Sequence, residues 1–236
     1  MSSPAIQGVG LTRRFGGFTA LDRVDISVPE GEIRGLIGPN GAGKSTLIDV
    51  LSGRGGKWDG AVYLSGRDVG RHTARARRAL GLARSFQRNN VFGGLTVGAQ
   101  IGLAARSAEI DNADEVMSEL GLAELAHRVA RDLAHGDQRR LDLALALVGR
   151  PRVLLLDEPA AGLSLAESLA LARLLREIAA RWNVTVLLVE HDMEVVFSIC
   201  DRITVLHLGR ALAEGTPEVI RRIPEVVTAY LGSSAP

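Results

Sequence analysis

The chain of 236 residues has one cysteine, two lysines and few aromatic side chains, and each shortage removes a class of protein. Cys200 alone cannot close an intrachain disulfide, and no Cys/His spacing resembles a metal site, so the sequence fits a reducing cytoplasm. Aromatic residues are 4% of the chain against 46% hydrophobic residues in all, so the core must be aliphatic, built from Leu, Val, Ile and Ala. The formal net charge of +1 gives no broad electrostatic case for binding nucleic acid. The N-terminus lacks a basic start followed by an apolar core, so no signal peptide is expected. No apolar run approaches the ~20 residues needed to cross a bilayer. The longest uncharged stretch, residues 89–105, contains Asn, Gln, Thr and several Gly. Any membrane role must then act through a partner. The length suits one α/β domain with a smaller lobe.

The two lysines, Lys44 and Lys57, stand beside 26 arginines, which makes the position of Lys44 informative. Gly38-Pro39-Asn40-Gly41-Ala42-Gly43-Lys44-Ser45-Thr46 matches the phosphate-binding pattern G-x-x-x-x-G-K-[ST]. A predicted strand, residues 32–37, runs into it, and Leu47, Ile48, Val50 and Leu51 follow at helical spacing. Glycines let the backbone wrap closely around phosphate oxygens and turn N–H groups toward them at a helix head. Lys44 would reach the β- and γ-phosphates, and the Ser45 hydroxyl would sit on Mg²⁺. A compact ammonium suits a phosphate as a point charge better than the wide fork of arginine.

The segment Leu133 to Pro159, LAHGDQRRLDLALALVGRPRVLLLDEP, carries the second signal. Val153 to Leu156 are four apolar residues in a row, as in a parallel strand covered on both faces. Asp157 and Glu158 emerge beyond its carboxyl end, where open α/β sheets bind ligands. That reads as a metal carboxylate followed by a water-activating carboxylate, although the pair alone also suits a solvated strand end. Upstream, Asp137 is expected to begin a helix with Leu141, Leu145 and Val148 on its apolar side.

Along the chain, the section to about Val28 reads as strands with a Gly16-Gly17 turn, and Ala61 to Leu64 as another strand. From Gly93 to about Arg131 the pattern is helical. The core resumes with strands at residues 152–156 and 184–189, separated by a helix over 165–181. Glu190-His191-Asp192 ends the second of these. The tail offers strands at 202–206 and up to 213, then short helices near Pro217 and Pro224. The Arg71–Arg78 cluster reads as a solvated helix face, and Trp58 and Trp182 as packing residues.

The phosphate loop, the segment 133–138, Asp157-Glu158 and His191, in this order and spacing, resemble the ATP-binding-cassette (ABC) family over nearly the whole chain. The resemblance implies an α/β fold: a phosphate-loop NTPase core of mixed, largely parallel sheet with an N-terminal antiparallel β region and an inserted α-helical subdomain. It divides a single nucleotide-binding domain, 1–236, into a core of 1–87 and 152–236 and a helical subdomain of 88–151. It implies ATP and Mg²⁺ as ligands and ATP hydrolysis coupled to transport. Gly38, Asn40, Gly41, Ala42, Gly43, Lys44, Ser45 and Thr46 become the phosphate site. Asp157, with Ser45 and Gln87, resembles the Mg²⁺ ligand set, Glu158 the general base and His191 the switch histidine. Gln87, in Arg84-Ser85-Phe86-Gln87, resembles the glutamine that joins the metal site to the helical lobe. Phe15 falls where the family stacks a ring under adenine, and it also reads as a core ring beside Phe18.

In the family, the turn holding Ala134, Gly136 and Asp137 caps a nucleotide bound by a second ATPase subunit, identical or merely related. The usual LSGGQ is here Leu133-Ala134-His135-Gly136-Asp137, so the serine hydroxyl is missing and slower hydrolysis is expected at the site this turn caps. The loop after Glu158 ends in Ser164 where the family often has Asp. Phe15-Gly16-Gly17, Phe92-Gly93-Gly94-Leu95-Thr96-Val97 and Ala229-Tyr230-Leu231-Gly232 resemble the ATPases of branched-chain amino-acid importers. That subfamily implies two transmembrane permease subunits, a periplasmic or extracellular solute-binding protein, and a place on the cytoplasmic face of the membrane. Urea or amide uptake and lipid or lipopolysaccharide export are the neighbouring transport readings. A soluble cassette protein of translation or repair would normally bring a second cassette or a basic stripe. A non-hydrolytic module sits badly with Glu158 and His191 both present.

Overall fold

A computed structural model describes residues 3–85 and 91–226. Gln87 and the Ala229–Gly232 motif lie outside the described residues. The first part of the chain is antiparallel: β1 (Ile6–Phe15), β2 (Phe18–Val28), β4 (Asp59–Leu64) and the two-residue β5 (Arg67–Asp68) form a sheet in the order β2-β1-β4-β5. Between them, β3 (Ile33–Ile37) joins a second sheet and leads into α1 (Lys44–Leu51). That sheet runs β10-β9-β3-β8-β7-β6, from β6 (Leu82–Arg84), β7 (Val153–Asp157), β8 (Thr185–Val189), β9 (Arg202–His207) and β10 (Arg210–Gly215). The neighbours from β9 to β6 are parallel, and β10 returns antiparallel on β9.

The unbroken apolar strands follow from burial on both faces. In β7, Leu154 and Leu156 turn to one core while Val153 and Leu155 turn to the other. β8 repeats this with Val186 and Leu188 against Leu187 and Val189. One face is covered by α5 (His135–Leu147), α6 (Leu165–Trp182) and α7 (Met193–Ile199), and its core runs on into α3 (Val97–Ala108) and α4 (Ala113–Glu119). The other face packs on α1 and the antiparallel sheet. The short helices α2 (Ala74–Ala79), α8 (Pro217–Ile220) and α9 (Pro224–Val226), with 3-10 turns at Ala123–Leu125 and Ala130–Asp132, complete the elements of the described residues.

Two sequence expectations are corrected. Helix α5 starts at His135, with Ala134 as its N-cap, so Asp137 lies within the first turn and Val148 lies past the end. A carboxylate before an apolar repeat looks like a cap, but Asp137 instead pairs with Arg140. The Arg71–Arg78 cluster is not a solvated face throughout. Arg77 is fully buried and its Nη1 donates to Val50 O at 2.8 Å and Leu51 O at 2.6 Å, the last carbonyls of α1. Arg78 donates to Ala146 O at 2.9 Å and to Val148 O, closing the end of α5. Cations at helix C-termini satisfy orphan carbonyls and oppose the helix dipole. Trp58 and Trp182 are half-buried packing residues, as expected.

Candidate active site

Three adjacent strands, β3, β8 and β7, end side by side, and each delivers one piece of the site at its carboxyl end. Beyond β3, residues 38–43 wrap into the head of α1. Gly38 has φ of 153°, and a Cβ there would lie 2.2 Å from Leu206 O. Gly43, the N-cap of α1, has φ of 106°, and its Cβ would meet Ala20 O at 2.6 Å. No other residue fits at either place. Lys44 is buried, and its Nζ donates to Gly38 O at 2.5 Å and Pro39 O at 3.1 Å. Burial lowers its pKa, while the charges of Glu158 and Asp157 act to raise it. Asn40, Gly41 and Ser45 are exposed along the loop and helix head, with Ala42 buried and Thr46 half-buried behind them.

Asp157 closes β7 level with Val189 of β8, and Glu158 N donates back to Val189 O at 2.9 Å. Burial raises the pKa of Asp157, and Arg84 opposes this. Its Oδ2 lies 3.5 Å from Arg84 Nη2, whereas Oδ1 is buried with no hydrogen-bond partner among the described residues. A buried anionic oxygen left without a donor suits a hard cation, which takes oxygen ligands. Glu158 has φ of 53°, a strained value for a non-glycine residue of the kind kept at functional sites. Its Oε1 lies 2.7 Å from His191 Nε2. That contact joins the residues that follow β7 and β8, whose ends the sheet already sets side by side.

The structure thus collects the phosphate loop, Asp157, Glu158 and His191 into one place. Ala134, Gly136 and Asp137 stand at the head of α5, whose contacts run to Ala161 and Gly162. Phe15 is 52% exposed at the β1–β2 turn, so the core-ring alternative fails, and Arg13 lies over its ring at 4.6 Å. Sequence reasoning missed Arg84, Asp49 and Glu190. Arg84 Nη1 donates to Asp49 Oδ1 at 2.6 Å and to Ser52 Oγ at 3.0 Å, linking α1 to Asp157. Asp49 follows Ser45 by one helical turn, a spacing that could have drawn attention to it. Glu190, buried beside His191, accepts from Ala160 N at 3.0 Å and His191 N at 3.2 Å. Burial raises its pKa against those two donors.

Residues 21–161 match the family model described as "ABC transporter". The chain belongs to the ATP-binding-cassette family. Residues 212–236 of this cassette also match the model of the branched-chain amino acid ATP-binding cassette transporter. The cassette is 40% identical to the high-affinity branched-chain amino acid transport ATP-binding protein LivG of Salmonella typhimurium, across 99% of this chain and 100% of that protein. It is also 40% identical to sulfate/thiosulfate import ATP-binding protein CysA 2 of Chromobacterium violaceum, over 95% of this chain and 62% of that one. Among solved structures, the ADP conformation of MJ1267, an ATP-binding cassette of an ABC transporter, superposes with a TM-score of 0.89 at 27% identity, covering 98% and 100% of the two chains. As a member of this family the cassette binds and hydrolyses ATP as the ATPase component of a transporter. No helix among the described residues is long and apolar enough to cross a membrane.

Proposed function

We propose that this cassette powers uptake of branched-chain amino acids. The observation that carries the substrate is the match of residues 212–236 to the branched-chain model. Identity alone does not fix it, because the sulfate/thiosulfate protein reaches the same 40%. The working assembly is a second ATPase subunit, two membrane permeases and an external solute-binding protein, with the cassette on the cytoplasmic face of the membrane. Within it, residues 88–151 act as a helical subdomain of a single nucleotide-binding domain.

In this reading the backbone of residues 38–46 cradles the triphosphate, and Lys44 exchanges its loop carbonyls for phosphate oxygens. Phe15 stacks on the base, and Gln87 connects the metal site to the helical subdomain. Asp157 and Ser45, with Gln87, would hold Mg²⁺, which would neutralise charge on the transferred phosphoryl group. Glu158 accepts the proton of the attacking water, and His191, 2.7 Å away, keeps that carboxylate aimed. The α5 head of the second subunit, with Ala134, Gly136 and Asp137, closes the site. Its first-turn amides precede the first helical hydrogen bond, Gln138 N to Ala134 O, and point outward as donors.

The test is Glu158→Gln in the complex reconstituted with its permeases. Hydrolysis should fall by roughly a hundredfold or more while ATP still binds, and wild-type vesicles should take up leucine, isoleucine and valine in an ATP-dependent way. Stimulation by a sulfate, urea or amide binding protein and not by a branched-chain one would defeat the substrate assignment.

A further inference from the structure

Two side chains of the α5 head grip the loop that follows Glu158. His135 and Arg139 are four residues apart and share one helix face. The two nitrogens Nε and Nη2 of Arg139 donate to Ala161 O at 3.1 and 2.6 Å, in a side chain only 8% exposed as a residue. His135 Nδ1 lies 3.3 Å from Gly162 O, and because a carbonyl only accepts, Nδ1 carries the proton there. The fit is tight: a Cβ on Gly162, whose φ is 83°, would sit 2.6 Å from His135 Cε1.

The gripped carbonyls belong to a segment pinned from its other side as well. Ala160 N donates to Glu190 Oε1, the other oxygen of that carboxylate takes His191 N, and His191 Nε2 meets Glu158 Oε1. Hydrogen bonds and the backbone of residues 160–162 therefore connect the Glu158–His191 pair, through Glu190, to His135 and Arg139 in the first two turns of α5.

We propose that His135 and Arg139 are positioning residues for hydrolysis: they lock residues 160–162 to the α5 head, so that the turn offered to a neighbouring subunit and the carboxylate serving this subunit's own nucleotide move as one body. The coupling across subunits rests on the two-subunit reading given above. His135 stands where the family's signature has a glycine, so this grip uses a side chain that the usual motif cannot supply.

The experiment compares His135→Leu, Arg139→Met and His135→Asn, the last placing an amide nitrogen where Nδ1 lies. His135 is exposed, so its variants should fold even if Arg139→Met does not. In the isolated chain, ATP binding should match wild type in the His135 variants, while amide exchange over residues 160–163 rises about tenfold in His135→Leu. In the assembled complex, kcat should fall about tenfold with KM for ATP within about twofold, and His135→Asn should restore both readouts. Wild-type exchange and kcat in His135→Leu, or an Asn variant as impaired as the Leu variant, would overturn the proposal. A wild-type complex lacking an ATP-dependent crosslink between residues 45 and 136 of neighbouring subunits would overturn the coupling while the exchange difference stood, locating the failure in the two-subunit reading.

Discussion

Cys200 shows how far a single buried side chain departs from its solution chemistry. It is 6% exposed, packed near Gly35 and Val196, and burial pushes its thiol up to about 12, with the charge of Asp201 adding to the effect. At pH 8 the thiolate, the reactive form, is then about one part in ten thousand. The native chain should react with an aromatic disulfide reagent at least a hundredfold more slowly than the chain unfolded in guanidinium. Equal rates would mean that the thiol is open to solvent. The same contrast separates the two cations of the Arg71–Arg78 cluster that face inward from those that do not. Arginine spacing in a sequence cannot say which guanidinium will find a helix end, because the accepting carbonyls of Val50, Leu51, Ala146 and Val148 come from other parts of the chain. Replacing Arg77 with Met strips the carbonyls of Val50, Leu51, His72 and Gly70 of a charged donor inside the fold. The expected loss is on the order of 3 kcal/mol in denaturant unfolding, and a loss under about 0.5 kcal/mol would contradict the cap.

Elements were readable where one rule dominated. β7 and β8 were legible because a strand buried on both faces is nearly all apolar, whereas β3, which carries the buried Arg34, was legible only as the run into the phosphate loop, two of whose glycines have no substitute. Helix starts were less readable, since they depend on which polar side chain actually meets a backbone amide. α6 has a full capping box: Ser164 Oγ accepts from Glu167 N and the Glu167 carboxylate accepts from Ser164 N. α5 has none, because Ala134 offers no acceptor. Ala134→Ser should therefore stabilise the chain by about 1 kcal/mol, and Ser164→Ala should speed amide exchange at residues 165–167. If Ala134→Ser also raises the ATPase rate of the complex, the missing hydroxyl limits hydrolysis. If only stability rises, the hydroxyl is a cap and nothing more.

At the scale of the molecule, burial at the carboxyl edge of the sheet works against its own charges. It raises the pKa of Asp157 and Glu190 and lowers that of Lys44, all within one site. Neither the residue types nor their spacing reveals this. It arises because β3, β7 and β8, distant in sequence, end together under two layers of helix and sheet. The consequence for stability has a definite sign. Glu190 holds its proton more tightly in the fold than its ordinary value of 4.5, so its contribution is complete below 4.5 and is lost as pH rises through the raised value. Asp157 behaves alike from its ordinary value of 3.8. The exposed Asp22, beside Arg210, and Glu167, bonded to Ser164, are lowered instead and withdraw their support as pH falls through their folded values. Opposed trends of this kind put the stability maximum of the isolated chain on the acid side of neutrality. Its melting temperature should fall as pH rises above the ordinary Glu190 value of 4.5. In Glu190→Gln the fall should be shallower, while stability at pH 5 is reduced, because an amide nitrogen replaces one of the two oxygens that receive Ala160 N and His191 N. A variant with the wild-type slope would show that Glu190 stays ionised throughout and that the pH dependence comes from elsewhere in the fold.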